Sequence, residues 1–328
     1  MFQGIKNGGG LISEAIKALI KYPKMLLPLL LCWSLYAPLL VYLKFHVPWG
    51  DYDTPTQFII AFLFVLLLSI IFSWSAFMLL EQIRQIEMGE KNSILKSISK
   101  SIANTIIALP IVVVWAAIWF ALTVIEAMLR RGSNSEDDDE NEEFNAENVA
   151  KTVAGYEEFS LSGAFFDALK KGVRMLAFLI YPAIAWEKLG TLRSVKKGLG
   201  VANTHKTEFA TGFVITELAA FLVFLPPAIL FIISGKFEVE FPDFVWFGTM
   251  IYCAFAWSFA LFLEQMFVAE LYLWHLIWEK EVRIAKSTFK PEPKLEDVKR
   301  PSVMDNVADL HLTSIGSPAN KALQRSSR

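Results

Sequence analysis

Long stretches of apolar residues alternate with shorter charged stretches along this chain. A helix that crosses the hydrocarbon core of a bilayer needs about 20 predominantly apolar residues, with roughly 17–25 as the working range. Six apolar stretches approach this length: 26–43, 58–80, 106–125, 172–186, 212–234 and 244–263. The fourth is short and carries Arg174, so it reaches spanning length only if residues 161–171 extend the same helix. We therefore predict six membrane spans.

The length of these stretches favours helices over the strands of a membrane barrel. Barrel strands would appear as short segments of alternating polarity. A helix satisfies every backbone N–H and C=O group within its own segment, as the bilayer interior requires. We therefore predict an all-α, polytopic membrane protein. The composition agrees, because 54% of the residues are hydrophobic and the mean hydropathy is +0.42, whereas soluble domains contain roughly 45–50% apolar residues.

The apolar pattern also contains an internal repeat. Residues 72–83 read FSWSAFMLLEQI and residues 255–266 read FAWSFALFLEQM, so that Phe, Trp, Ser, Leu, Glu and Gln recur at matching places. Amphipathic stretches at 11–21, 93–102 and 191–200 precede the first, third and fifth spans. Because repeats indicate a fold built from equivalent units, we predict three hairpins, each with an interfacial elbow helix, an outgoing span and a returning span. The alternative is coincidence within Leu- and Phe-rich sequence.

The elbow helices are predicted to lie in the headgroup plane of the membrane. Each has apolar residues on one face and basic residues on another, a pattern typical of helices that bind anionic lipid surfaces. The candidate residues for contact with lipid headgroups are Lys17, Lys21, Lys96, Lys100, Arg193, Lys196 and Lys197. Membrane lipids are therefore the first predicted partner.

The distribution of Lys and Arg indicates the orientation of the spans. If the N-terminus is cytoplasmic and six spans alternate, most of the 31 Lys and Arg residues lie on the cytoplasmic side. This positive-inside asymmetry predicts a multi-pass protein of the inner (cytoplasmic) membrane with both termini in the cytoplasm. Lys170, Lys171 and Arg174 are exceptions, because they fall near the outer end of the fourth span.

These predictions divide the chain into five segments. Residues 1–24 form a cytoplasmic amphipathic segment, residues 25–130 hold spans one to three, and residues 161–286 hold spans four to six. The acidic loop 131–160 contains the run EDDDENEE and is predicted to be disordered outside the membrane. An acidic patch that gathers cations or binds a basic partner is the functional alternative for this loop. Residues 287–328 are predicted to form a disordered cytoplasmic tail.

The stretch YPAIAWEKLGTLRSVKKGLGVANTHKTEF at 181–209 carries a family resemblance. Its pattern is Tyr181–Pro182 at the end of a span, then Glu187, Gly190 and a basic amphipathic helix that contains Ser194. This resembles an uncharacterised family of six-span membrane proteins of bacteria and archaea. That family is distantly similar to the membrane domain of some glycerophosphodiester phosphodiesterases. The resemblance implies a six-helix inner-membrane fold, and it implies no catalytic residues.

Four carboxylates are the candidate intramembrane polar residues. Ionisable groups within membrane helices are energetically costly and are functional candidates by default. Glu217 lies inside the fifth span, where it could bind a cation, relay a proton, or pair with a basic residue of an elbow. Glu81, Glu187 and Glu264 lie near the inner ends of the three returning spans. At this position, we expect the charges of Glu81 and Glu264 to reach water.

The motifs of the common enzyme classes are not found in the sequence. His275 and Glu279 are spaced like a pair of metal ligands, but two such ligands without a third are weak evidence. The stretch NGGG at 7–10 lacks the preceding strand and the Lys-Ser/Thr ending of a phosphate-binding loop. We also find no nucleophile triad. The sequence therefore predicts a protein that is not an enzyme, without cofactor, metal or nucleic-acid partner.

Two functions remain open at this level. The first is a membrane scaffold or accessory module that interacts with lipid, with a partner membrane protein or with a second copy of the chain. The alternative is a transporter or channel for a small solute or ion that uses Glu217. A transporter predicts that Glu217 faces a central polar cavity. A scaffold predicts a packed apolar interior, with Glu217 paired at the cytoplasmic edge.

Overall fold

A computed structural model of the chain describes residues 2–134, 161–237 and 239–301. Within these residues the fold is all-α, as predicted, and contains no strand. The α-helices are α1 (Phe2–Lys21), α2 (Leu27–Phe45), α3 (Thr54–Glu87), α4 (Ile94–Asn134), α5 (Leu161–Ala185), α6 (Thr191–Thr204), α7 (Lys206–Phe237) and α8 (Asp243–Ser287). Short 3-10 helices lie at Pro23–Leu26, Trp49–Asp51 and Leu295–Asp297. The acidic run EDDDENEE lies outside the described residues.

Five helices in the described part of the chain are long and apolar enough to cross a membrane. They comprise residues 23–43, 54–87, 94–129, 206–236 and 243–287. The chain therefore has the helices of an integral membrane protein. The predicted fourth span corresponds to α5, which has 25 residues but does not meet the same criterion. Lys170, Lys171 and Arg174 lower its apolar character, and the structure buries much of α5 inside the protein.

The helices pack as a closed ring of three hairpins. The hairpins are α2–α3, α4–α5 and α7–α8, and the two helices of each hairpin contact one another. Each returning helix also contacts the following unit: α3 packs against α4, α5 against α6, and α8 against α1 and α2. Helix α5 is central, because it contacts both other returning helices, α3 and α8. This arrangement agrees with the predicted repeat.

The three predicted elbows differ from one another in the structure. The first and third are separate helices, α1 and α6. The second, residues 93–102, is continuous with the outgoing span, because α4 begins at Ile94 and runs through Pro110 without a break. The apolar face of α1 packs mainly on protein, since it contacts α7 and α8 and buries Ile12 and Ala15. Ile20, on the same predicted face, remains 77% exposed.

The hydrophobic core lies where the returning helices meet. It is formed by the second half of α3, by α5 and by the middle of α8, together with residues of α1, α2 and α4. The outgoing helices instead present apolar side chains outward, and only 6% of the most apolar window of α7 is buried. Contiguous exposed apolar surface of this extent is suited to contact with lipid. The ring therefore has an apolar interior and an apolar outer surface.

The segment after α8 contacts the bundle within the described part of the predicted tail. The indole N–H groups of Trp274 and Trp278 donate to the backbone carbonyls of Val298 and Pro293, at 3.0 and 2.8 Å. The guanidinium group of Arg300 lies directly against Gly10 of α1, where a Cβ atom would fall 1.6 Å from it. The segment therefore contacts the bundle through Pro293, Val298 and Arg300, whereas Phe289 is 98% exposed.

Candidate functional site

A cluster of four charged residues lies where α5, α7 and α8 meet. The Nζ of Lys171 is 2.5 Å from a carboxylate oxygen of Glu217 and 3.4 Å from one of Glu264. Arg174 donates from Nε and Nη2 to the two oxygens of Glu264, both at 2.9 Å. We call these four residues the Glu264 cluster. Its ion pairs connect the second hairpin to the third.

The Glu264 cluster places both of its carboxylates in ion pairs. We expected the charge of Glu264 to reach water, but its side chain is only 4% exposed. Three roles were open for Glu217, and the structure shows it in a pair whose partner, Lys171, belongs to the buried helix α5 instead of an elbow. The Glu217 side chain is 63% exposed on the outer surface of the protein. Glu217 does not line the cavity between α2, α3, α4 and α8, nor the cavities next to Trp246 and Glu279.

A second buried ion pair lies next to the Glu264 cluster. Lys170 donates to Glu126 of α4 at 2.6 Å, and both side chains are almost fully buried. The Lys170 ammonium also lies 5.1 Å from the ring centre of Trp119, a distance at which a cation is attracted to an aromatic face. The basic residues that appeared to contradict the orientation rule are therefore paired inside the protein.

Glu81 belongs to a network at the junction between the first and second hairpins. Its carboxylate accepts hydrogen bonds from Nε and Nη2 of Arg84, and lies 3.1 Å from the Nζ of Lys100 on α4. Gln85 extends the network through hydrogen bonds with Ser97 and with the backbone N–H of Ser93. The Glu81 side chain is 4% exposed, so this charge is also buried rather than in contact with water.

Glu187, which follows the end of α5, connects the second and third hairpins. It accepts a hydrogen bond from the hydroxyl group of Tyr272 on α8. The neighbouring Trp186 donates from its indole nitrogen to the carbonyl of Leu80 on α3, at 3.1 Å. Each of the four predicted carboxylates thus has at least one partner on another helix.

A series of polar side-chain contacts joins α6, α7 and α8. Nε2 of His205 and Nδ1 of His275 are 2.9 Å apart, and Nε2 of His275 lies 3.7 Å from Glu279. Glu279 also pairs with Lys197 of α6 at 2.5 Å. His275 and Glu279, which are spaced like metal ligands in the sequence, are therefore part of a series of polar contacts that includes His205 and Lys197. Among the described residues, no group of three side chains is placed to hold a metal ion.

The basic residues proposed for lipid headgroups are mostly at the surface. Lys17 and Lys96 are exposed and pair with Glu14 and Glu90, at 2.8 and 2.5 Å. Lys197 is partly buried, and the remaining candidates are exposed: Lys21, Lys100, Arg193 and Lys196. The structure thus presents most of these cations on the outer faces of the helices that were predicted as elbows.

The structure contains a cavity that sequence reasoning did not identify. Its volume is about 560 Å³, and it lies between α2, α3, α4 and α8, with Arg174 of α5 in its wall. The other lining residues are Trp33, Tyr36, Ala37, Leu40, Val41, Val65, Leu68, Ser69, Phe72, Trp115, Trp119, Met250, Trp257 and Leu261. Trp residues recur in the spans that form the cavity. The residue pattern of each span does not show which helices face one another, so the cavity could not be predicted from it.

A buried carboxylate was also missed. Glu270 of α8 is fully buried, and neither of its oxygens has a hydrogen-bond partner among the described residues. Its nearest charged neighbours include Glu14, Glu87 and Arg300. The sequence shows Glu270 in an apolar stretch that follows the sixth predicted span at 244–263, and Glu270 was not considered as a buried site.

Comparison of the chain with protein-family models, with curated proteins and with solved structures returned no match. The resemblance to the six-span family therefore stays a prediction from the stretch at 181–209. The function must be argued from the geometry of this chain alone.

Proposed function

We propose that this chain is a membrane scaffold or accessory module, without a catalytic role of its own, whose three hairpins present an apolar surface to lipid. We place it in the inner membrane with both termini in the cytoplasm, in keeping with the positive-inside distribution and with the resemblance to the six-span family. Lipids are its proposed partners, and a partner membrane protein or a second copy of the chain can use the same apolar surface.

One observation supports this proposal most strongly. The four predicted carboxylates take part in contacts that hold helices together. Glu187 also lines a cavity together with Lys197 and Glu279, and the other three carboxylates do not line that cavity. Buried ion pairs are costly to break, because removing one partner leaves an uncompensated charge. Such pairs are suited to holding a fixed arrangement of hairpins. A conduction path would require polar groups that converge on a continuous opening.

A transporter or channel is the second candidate, and one observation favours it. Glu217 is exposed on α7, yet it pairs with Lys171, which in turn contacts the buried Glu264. This series of charges leads from the outer surface of the bundle into its interior. Intramembrane carboxylates with such neighbours can take part in proton relays.

Flux measurements in proteoliposomes test the two candidates directly. The full chain would be reconstituted and loaded with fluorescent reporters of H⁺, Na⁺ and K⁺, and compared with protein-free liposomes. The scaffold proposal predicts no flux above the protein-free level for the wild type or for Glu217→Gln. The control is Glu208→Gln, the same substitution in the first turn of the same helix. A flux that Glu217→Gln abolishes and Glu208→Gln preserves would overturn the scaffold proposal.

A further inference from the structure

The cavity between α2, α3, α4 and α8 has the features of a small-molecule site. Its volume of about 560 Å³ lies within the range of roughly 300–1,000 Å³ that is typical of ligand pockets. Such pockets are lined mainly by hydrophobic and aromatic side chains, with a few polar groups that orient the ligand. Here most of the wall is aromatic or aliphatic, and Arg174 is the charged residue in it.

Arg174 retains hydrogen-bonding capacity toward the cavity. A guanidinium group has five N–H donors, and Glu264 accepts hydrogen bonds from only two of the Arg174 nitrogens, Nε and Nη2. The side chain of Arg174 is 26% exposed, so the remaining donors can reach a bound group. Arginine is well suited to binding carboxylate and phosphate oxygens, because several of its donors lie in one plane.

Arg174 is the member of the Glu264 cluster that lines the cavity. The four charges of the cluster balance, because Arg174 pairs with Glu264 and Lys171 pairs with Glu217 at 2.5 Å and lies 3.4 Å from Glu264. Glu217 contacts Lys171 from the exposed side and does not line the cavity. Lys170 is paired with Glu126. Arg174 is therefore the cation of this region that faces the cavity, and its attraction to an anion is strengthened by apolar surroundings of low dielectric.

A second polar group in the wall lacks an acceptor. The indole Nε1 of Trp115 is buried and has no hydrogen-bond partner among the described residues. Trp115 lines the cavity together with Arg174. Buried donors are usually satisfied, and one that is not requires a specific explanation. This nitrogen has almost no accessible surface, so Arg174 supplies the polar contact that a ligand in the cavity can reach.

We propose that this cavity binds an anionic amphiphile, with its alkyl chain along the aromatic wall and its carboxylate or phosphate group on Arg174. Because the cavity is flanked by helices with apolar outer faces, the chain of a membrane amphiphile can enter it without crossing water. This site adds a ligand to the proposed function and rests on it, because the bundle must lie in a lipid membrane for the amphiphile to enter. The module thus binds one specific amphiphile in its cavity, in addition to the lipids that contact its outer apolar surface.

Native mass spectrometry of the full chain in detergent micelles tests this site. The probes are hexadecanoate, hexadecyl phosphate and hexadecanol, which share one alkyl chain and differ in the head group. We expect one-to-one binding of at least one anion that is about tenfold tighter than binding of hexadecanol, a difference typical of charge-assisted hydrogen bonds. A preference between the two anions identifies the source of the head group as a fatty acid or a phosphate-bearing lipid.

Variants separate the cavity from the outer surface of the protein. Ala37→Trp introduces an indole into the cavity wall, whereas Leu35→Trp adds one to the exposed face of the same helix. Ala37→Trp should weaken anion binding at least tenfold, and Leu35→Trp should leave it unchanged. The double variant Arg174→Gln/Glu264→Gln removes both charges together, and it should abolish the preference for anions over hexadecanol.

Two results would overturn the proposed site. One is binding of the three probes with equal affinity by the wild type. The other is unchanged anion binding in an Ala37→Trp protein that is folded and monodisperse. Either result refutes the amphiphile site and leaves the scaffold function standing. Conversely, a flux that depends on Glu217 would refute the scaffold function and leave the site intact.

Discussion

His205 and His275 form a buried hydrogen bond at the junction of α6, α7 and α8. Their ring nitrogens are 2.9 Å apart, and Trp278 packs edge-on against His205. Burial, together with the neighbouring His275, lowers the pKa of His205 from 6.5 to about 4. His205 therefore stays neutral in the folded protein at pH values where an exposed histidine is already protonated.

This depressed pKa predicts that stability falls with acidification. Below about pH 6.5 the unfolded chain binds a proton at His205 that the folded chain does not bind until the pH approaches about 4. The stabilisation is thus fully present above pH 6.5 and is lost as the pH falls from 6.5 to 4. We expect the unfolding temperature of the wild type in detergent to decrease across this interval more than that of His205→Gln.

The comparison with His205→Gln isolates the contribution of one histidine from the titration of the carboxylates. Both proteins carry the same acidic residues, so only the difference between their pH profiles reports on His205. Parallel profiles between pH 7 and pH 4 would contradict a depressed pKa at this position.

The sequence identified Glu217 as an unusual intramembrane carboxylate, but it did not identify the residue with which Glu217 pairs. Glu217 was identified because a charge within an apolar run is visible in the sequence. Its partner Lys171 was not, because the two residues lie on helices that are distant along the chain, and their proximity depends on the relative rotation of α5 and α7. The same reason explains why the partners of Glu264, Arg174 and Lys171, were missed.

At the scale of elements, the contact between α7 and α8 depends on a glycine. A Cβ atom on Gly212 would lie 1.9 Å from the ring of Phe267, which is fully buried. Gly212→Ala therefore requires the ring or the helix to move, and overpacking of this kind costs about 1–3 kcal/mol. We expect Gly212→Ala to lower the free energy of unfolding, measured by denaturant titration in detergent.

Gly235 provides a matched control on the same helix. Nothing lies within 4 Å of the position of its Cβ atom. Replacement of a helical glycine by alanine in open space reduces the conformational entropy of the unfolded chain, and it stabilises by about 0.5–1 kcal/mol. Opposite signs for Gly212→Ala and Gly235→Ala are the expected result. Equal effects would mean that α7 and α8 do not approach closely at Gly212.

Hydropathy identified five spans directly, and it identified the buried helix α5 only on the condition, met in the structure, that residues 161–171 extend it. The sequence predicted helical spans that correspond to α2, α3, α4, α7 and α8, because their apolar length is a local property. It treated α5 as a weak span, since Lys170, Lys171 and Arg174 interrupt its apolar run. In the structure these charges are neutralised by Glu126, Glu217 and Glu264, so a buried helix carries them without exposing them to lipid.

At the scale of the whole molecule, ion pairs and apolar packing act together to close the ring. Glu81 connects the first and second hairpins through Lys100. The Glu264 cluster and the hydrogen bond between Glu187 and Tyr272 connect the second and third. The sequence repeat predicted equivalent hairpins, and it did not predict that their carboxylates would be buried at the junctions. Their burial depends on the tilt of the helices, which a count of residues along one span does not give.

The role of the interior charges can be measured as a coupling energy between Arg174 and Glu264. The free energy of unfolding of the full chain would be determined for the wild type, Arg174→Gln, Glu264→Gln and the double variant. Breaking a buried pair by removing one partner costs roughly 3–5 kcal/mol. We predict that the double variant is more stable than the sum of the two single effects implies, by about 1–3 kcal/mol. Additive effects, or single variants as stable as the wild type, would contradict the conclusion that these charges hold the hairpins together.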